Sequence, residues 1–228
     1  MIADKKEFFG GAAMLVGFFI VLIIMFCPIF EGKNALNYLD SLYNSISKGS
    51  AYYIPKLKKE VADFVGDPIS VVVEMKNEKQ AEETALLLTK AGAEANVSGN
   101  QLSIKGDFKK IMENCLDDSD NMFNNNGNVL SEKYGYPEKN VMYNWHSVCK
   151  MMEVDLVKQK RVKAAKIITS VSKKAIECSY NYYKVVPQKI SEKAGIVVFS
   201  LVFYVIYTMW YGFGILFMFE GWGLKLEH

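Results

Sequence analysis

Apolar residues form two uninterrupted runs near the ends of this chain, whereas between them they recur at helix or strand spacing. Residues 12–30 and 194–219 contain no charged side chain. An apolar run of about 20 residues is long enough to cross the hydrocarbon core of a bilayer. We therefore predict two terminal transmembrane helices, the first of them preceded by a short polar leader at residues 1–11.

The longest helical pattern covers residues 140–187, which contain no glycine and no proline before Pro187. From Val157 onward the apolar positions follow one another at steps of three and four, interrupted only at Arg161, which is the spacing of a coiled-coil seam. The seam consists of Ala164, Ile168, Val171, Ala175, Cys178, Tyr182 and Val185. We predict a single stalk helix of roughly 65–70 Å over this range.

A shorter amphipathic pattern follows the first apolar run and predicts further stalk helices within residues 31–66. Leu36, Leu39 and Leu42 recur there at helical spacing. This segment can pair antiparallel with the long helix of the same chain. Alternatively, the seam of the long helix contacts other copies of the protein. The sequence is compatible with both interpretations of the seam.

Residues 67–116 have the pattern of a compact α+β domain. A β-branched strand at residues 69–75 is followed by a helix that Asn77 caps and Gly92 ends. Two alternating segments then flank a Gly-Asn turn signal, and Asp107 caps a second helix. The predicted fold class is α+β, and the predicted order of elements is β-α-β-β-α.

The segment after this domain, residues 117–139, is rich in Asp and Asn and is predicted to be a polar loop. Its acidic residues do not fit a calcium-binding loop, because the alignment that starts at Asp118 lacks the required glycine and the ligand at the fifth position. We therefore predict no metal site in this segment.

The order of elements in residues 69–116, with a helix that ends in Leu88-Thr-Lys-Ala-Gly92, resembles the ring-building motif. That small domain occurs in ring proteins of flagellar basal bodies, type III secretion systems and sporulation. The resemblance covers about 50 of the 228 residues. It implies side-by-side association of membrane-anchored subunits and transfers no catalytic residue.

Charge and residue usage exclude several classes of function. The 27 basic and 25 acidic residues nearly balance, which gives no reason to expect nucleic acid as a partner. Arg161 is the only arginine, so an arginine cluster for phosphate is excluded. Only His146 and His228 are histidines, and no glycine-rich phosphate loop is present. The sequence predicts no catalytic residue, no cofactor and no metal.

The four cysteines do not form a metal-binding pattern, because no two of them are spaced as a CxxC pair. Cys115 and Cys149 are candidates for a disulfide, a question that the sequence leaves open. His146 and Cys149 lie one helical turn apart, which we interpret as one face of a helix and not as a zinc site. Residues 226–228 resemble the start of a vector-derived tag, so we infer nothing about the fold or the function from them.

Two spans place both termini on the same side of the membrane. Lys5 and Lys6 precede the first span and favour cytoplasmic termini, whereas Lys184, Lys189 and Lys193 crowd the other end of the second span. Long loops translocate largely regardless of charge. We therefore predict an inner (cytoplasmic) membrane protein whose domain faces the periplasm or the exterior.

Three hypotheses for function follow. The first is a membrane-anchored protein that assembles with copies of itself, or with other membrane or envelope proteins, into a ring or scaffold. The second is an oligomeric two-span pore, and the third is a membrane-anchored sensor or binding module. In the second span Ser200, Thr208, Gly212 and Gly214 either pack the helix against a neighbour or line such a pore.

Overall fold

The computed structural model describes residues 2–224, so the predicted tag remnant at residues 226–228 lies outside the described residues. The chain divides into two compact units. One unit is built from the two ends of the chain, up to Ile46 and from Gln188 onward, and the other is Ser47–Pro187. The fold mixes helices with one small antiparallel sheet, as the sequence predicts.

The unit formed by the chain ends is an antiparallel pair of long helices, α1 (Lys5–Phe26) and α10 (Ile190–Gly221). Both helices are long and apolar enough to cross a membrane. Only 6% of the most apolar window of α1 and 0% of that of α10 is buried. The core helix of a soluble protein would be mostly buried, so these exposed apolar surfaces favour contact with lipid. A further helix, α2 (Ala35–Ser50), begins in this unit.

The unit Ser47–Pro187 holds all three strands and most of the helices. Its elements are α3 (Ile54–Ala62), β1 (Pro68–Glu74), α4 (Glu78–Lys90), β2 (Glu94–Ser98), β3 (Gln101–Asp107), α5 (Phe108–Phe123), α6 (Gly127–Tyr134), α7 (Glu138–Lys158), α8 (Val162–Val171), a π-helical turn (Ser172–Ile176) and α9 (Glu177–Asn181). Their apolar side chains form one continuous core.

The sheet has the order β1-β3-β2, with both outer strands antiparallel to β3. Val71 and Ala95 flank Ile104 in register, and their side chains point to the face that α4, α5 and α7 cover. The predicted caps are present, because the side chain of Asn77 accepts from the first turn of α4 and that of Asp107 from the first turn of α5. The predicted β-α-β-β-α order is therefore observed.

The predicted polar loop at residues 117–139 is largely helical. Helix α5 continues to Phe123, and α6 follows after three residues. Met122 and Leu130 are buried in the core, so apolar side chains at helical spacing outweigh the abundance of Asp and Asn. The polar composition was misleading because one of its acids, Asp118, is itself buried among hydrogen-bond donors.

The predicted single helix over residues 140–187 is not formed. Helix α7 ends at Lys158, Lys160 adopts a left-handed conformation with φ 62°, and α8 packs back against α7. The backbone N–H of Arg161 donates to the carbonyl of Leu156 at 2.8 Å, which closes a Schellman-type helix end. The predicted stalk is therefore a helical hairpin within the α+β unit.

Candidate functional site

A surface groove of the α+β unit lies along α7, beside His146. It has a volume of about 600 Å³. Three parts of the chain form its walls: α7, the segment from the end of β1 into α4, and the turn between β2 and β3. We call it the His146 groove, and its lining residues are Glu74, Met75, Lys76, Gln80, Asn100, Tyr143, His146, Ser147, Lys150 and Met151.

The two lysines of the His146 groove are more available to a ligand than its acidic residue, Glu74. Lys76 and Lys150 are exposed, and neither has a carboxylate within ion-pair distance among residues 2–224. The carboxylate of Glu74 already accepts a hydrogen bond of 2.8 Å from the side-chain amide of Asn100. Ser147 adds a hydroxyl to the lining. This combination of donors suits a ligand that carries negative charge.

His146 and Tyr143 line both this groove and a second, smaller depression of about 340 Å³. The Nε2 atom of His146 lies 3.5 Å from a carboxylate oxygen of Glu177, which orients the ring. Cys149, one turn further along α7, is fully buried and so does not share this surface. Among the described residues no group of three or more His, Cys, Asp or Glu side chains is placed to hold a metal ion.

Beneath the groove, a chain of side-chain hydrogen bonds joins α4 to α7. Gln80 Nε2 donates to Asn144 Oδ1 at 3.1 Å, and Asn144 Nδ2 donates to a carboxylate oxygen of Glu83 at 3.0 Å. The phenol of Tyr136 donates to the backbone carbonyl of Glu83 at 3.2 Å. Because Gln80 and Asn144 are buried, these bonds hold the two groove walls in a fixed register.

Tyr136 should make the protein sensitive to alkaline pH. Burial is the main cause that raises the pKa of Tyr136 to about 12, from 10.0. The unfolded chain therefore loses this proton at lower pH than the folded chain, and stability falls as pH rises from about 10 to about 12. We expect Tyr136→Phe to reduce this fall, measured by denaturant unfolding at several pH values. An unchanged slope would contradict the role of Tyr136.

A second polar cluster lies in the core and is closed to ligands. The carboxylate of Asp118 is 1% exposed and accepts from the phenol of Tyr134 at 2.6 Å, from the indole of Trp145 at 2.9 Å and from the ammonium of Lys133 at 2.8 Å. Burial, followed by the neighbouring Asp118, raises the pKa of Tyr134. Since every charge here has partners, the cluster serves to join α5, α6 and α7.

The predicted disulfide candidates are neighbours in this core, but they are free thiols. Cys115 and Cys149 are both fully buried. Burial is the main cause that raises the pKa of Cys115 well above its ordinary value, and the adjacent Cys149 thiol adds to the shift. A buried thiol with a raised pKa is a poor nucleophile. The pair therefore packs in the core and offers no reactive group.

The predicted seam is mostly core of the α+β unit. Its first four residues, Ala164, Ile168, Val171 and Ala175, are buried within a single chain. Cys178 and Tyr182 pack against the same core and are partly buried, and Val185 is half-buried. These side chains are therefore occupied by contacts within the chain. An assembly of several copies would have to use other surfaces.

The end of the seam is bound by a buried lysine, Lys48, that the sequence does not indicate. Lys48 is 2% exposed, and its ammonium donates to Asn125 Oδ1 and to the carbonyls of Tyr182 and Val185 at 2.8–3.0 Å. The same ammonium lies 5.1 Å from the ring centre of Phe123. Burial lowers the pKa of Lys48. Its three donors match three acceptors, so this lysine fixes the chain after α9.

In the long helix pair, the residues predicted for packing or a pore have different surroundings. The hydroxyl of Thr208 donates to the carbonyl of Tyr204 in its own helix, and that of Ser200 lies 2.7 Å from the phenol of Tyr43. Gly214 lies against Leu15 and Gly11 of α1, where the helices approach closely. Nothing lies within 4 Å of the position that a Cβ of Gly212 would take.

The cationic residues of the His146 groove were not identified from the sequence. Lys76 and Lys150 are far apart along the chain, and they are two among many lysines, so no local pattern marks them. Only the packing of α7 beside the end of β1 places them in one groove. Comparisons of the chain with protein-family models, with curated proteins and with solved structures give no match.

Proposed function

We propose that this protein is a non-enzymatic, membrane-anchored binding module. Its α1–α10 helix pair would span the membrane, and the His146 groove of its α+β unit would bind an anionic organic ligand. The observation that supports this function most directly is the groove itself, which presents Lys76 and Lys150 without carboxylate partners among the described residues.

The composition of the groove supports binding more than catalysis. Met75, Met151 and Tyr143 give it apolar walls, and the lysines, Ser147 and Asn100 supply a few polar groups that can orient a ligand. Within residues 2–224, His146 makes no hydrogen bond to a serine, threonine or cysteine side chain, so no such nucleophile is paired with this histidine.

The contacts between α1 and α10 support a membrane anchor more than a pore. The phenol of Tyr207 donates to the carbonyl of Phe18 across the pair at 2.9 Å, and the two rings stack with their centres 4.2 Å apart. Thr208 bonds to its own helix. Most of the stalk seam that motivated self-assembly is buried within a single chain, and Gly214, one of the residues that motivated a pore, packs against α1, so neither hypothesis is the function that we propose.

Calorimetric titration tests the proposed function. The detergent-solubilised full chain is titrated with pyrophosphate and with citrate at low salt. We expect at least one of them to bind, and the double variant Lys76→Gln/Lys150→Gln to weaken that binding by roughly tenfold per lysine. The matched control is Lys79→Gln/Lys90→Gln, because both lysines are exposed and lie outside the groove. Absence of binding, or equal loss in both double variants, would refute an anionic ligand in this groove.

A further inference from the structure

The turn between α7 and α8 belongs to the most basic stretch of the α+β unit. Between Asp155 and Glu177 the chain has no acidic residue. Its cations in this interval are Lys158, Lys160, Arg161, Lys163, Lys166, Lys173 and Lys174. Such a stretch creates a positive potential at the surface, which extends over about one Debye length.

The turn is attached to β1 by the side chains of Gln159 and Arg161. Gln159 Nε2 donates to the carbonyl of Ser70 at 2.9 Å, and Arg161 donates to the carbonyl of Pro68 at 2.7 Å and pairs with Asp67. These bonds attach the turn to the outer edge of β1. The conformation of the turn is therefore fixed before any partner arrives.

The other cationic side chains of the same turn form no ion pair with the residues that the structure describes. Lys158, Lys160 and Lys163 are exposed and lack a carboxylate within ion-pair distance in the described part of the chain. Val157 and Val162 are about half exposed, at 53% and 50%, between these lysines. We call residues 157–163 the basic turn. On its surface, exposed valines lie between lysines that have no carboxylate partner within residues 2–224.

One of these lysines occupies a conformation that its side chain disfavours. Lys160 has φ 62°, at the position after a helix end where glycine is the usual residue. A side chain in the left-handed region is strained relative to glycine. A lysine at this position is therefore not explained by the stability of the fold. A binding role would explain it, because Lys160 is exposed to solvent.

A shallow depression of about 390 Å³ adjoins the basic turn. Lys160 and Lys163 line it together with Phe64 and Val162. Arg161 and Asp67 also line it, and the guanidinium of Arg161 pairs with the carboxylate of Asp67, which leaves the two lysines as the cations available to a ligand. The depression is large enough for a phosphate-bearing headgroup, and the ammonium groups of its two lysines have no carboxylate partner among the described residues.

We propose that the basic turn docks on an anionic phospholipid surface. Lysines attract anionic headgroups, and exposed valines between them can enter the headgroup region. An acidic protein would satisfy the charges equally well. The bilayer is favoured because this inference rests on the proposed membrane anchor: the exposed apolar pair α1 and α10 of the same chain would hold the protein where lipid headgroups are concentrated. This surface is separate from the His146 groove and does not depend on the groove binding a ligand.

Hydrogen exchange of residues 155–166 in the full chain tests this proposal. The protein is measured in neutral phosphatidylcholine nanodiscs, in nanodiscs with phosphatidylglycerol, and in neutral nanodiscs with added phosphatidylglycerol vesicles. We expect slower exchange in at least one of the two anionic arrangements, and reversal of the effect at high salt. Equal exchange in all three arrangements overturns the proposal and would leave an acidic protein as the alternative partner.

The variant Lys160→Gly separates docking from folding. Glycine is preferred at this backbone conformation, so the fold should be at least as stable as in the parent protein. The affinity for anionic lipid should fall by about fivefold for the loss of one lysine near the surface. Lys90→Gln, at an exposed lysine on α4, is the matched control and should retain the lipid effect. Full retention of the lipid effect in Lys160→Gly would contradict the docking role of the basic turn.

Discussion

Replacing Asp118 with alanine should destabilise the α+β unit by about 3–5 kcal/mol, because the variant leaves buried donors without an acceptor. The phenol of Tyr134 and the indole of Trp145 both donate to one oxygen of this carboxylate, and Lys133 donates to the other. For a unit of this size the thermal midpoint should fall by roughly 10 °C. Trp145 is the only tryptophan of Ser47–Pro187, and Trp210 and Trp222 belong to the other unit, so the difference in near-UV circular dichroism between the variant and the parent protein reports on this cluster.

The neighbouring acid provides the control for this prediction. Asp117 pairs with Lys58 at 2.7 Å, but its side chain is 60% exposed. Exposed ion pairs contribute about 1 kcal/mol or less, so Asp117→Ala should shift the midpoint only slightly. Equal shifts for Asp117→Ala and Asp118→Ala would show that the buried cluster does not stabilise the fold as its geometry indicates.

Replacing Gly11 with leucine should separate α1 from α10. A Cβ atom at this position would lie 2.6 Å from the backbone nitrogen of Met218 and 2.7 Å from the carbonyl oxygen of Gly214. Backbone atoms cannot rotate out of the way as side chains can. The cost should therefore reach or exceed about 3 kcal/mol, the upper part of the range for overpacked positions. Resistance of the helix pair to unfolding by sodium dodecyl sulfate, followed by circular dichroism, measures this effect.

The adjacent glycine offers a matched substitution. Nothing lies within 4 Å of the position that a Cβ of Gly10 would take. Gly10→Leu adds the same apolar side chain one residue away, on a surface that faces outward, and should leave the helix pair intact. A similar loss of resistance in both variants would mean that close approach at Gly11 is not what holds the pair together.

Local patterns in the sequence were sufficient for several elements of the fold. Uncharged apolar runs mark α1 and α10, because a helix that contacts lipid must be apolar on all sides. The caps Asn77 and Asp107 locate the starts of α4 and α5, because each satisfies backbone N–H groups of its own first turn. The strands alternate with a period of two, because one face of the sheet is buried. Each of these signals depends on residues close together in the chain.

The tertiary structure alone decided where the long predicted helix breaks and which polar residues are buried. No glycine or proline marks the turn around Lys160 in the sequence. The chain turns there because Gln159 and Arg161 donate hydrogen bonds to β1, about 90 residues earlier. The sequence alone suggests that Asp118 is a loop residue. In the structure its carboxylate accepts hydrogen bonds from the indole of Trp145 and the phenol of Tyr134.

The candidate sites also depend on tertiary contacts and not on local sequence patterns. Lys76 and Lys150 carry no local signal, and they line one groove only because α7 packs beside the end of β1. The sequence by itself determined which segments are helices or strands and which are apolar enough for a membrane, because those properties depend on neighbours within a few residues. The break in the stalk, the burial of its seam and the composition of the groove were decided by contacts between distant segments, whose energies no local pattern contains.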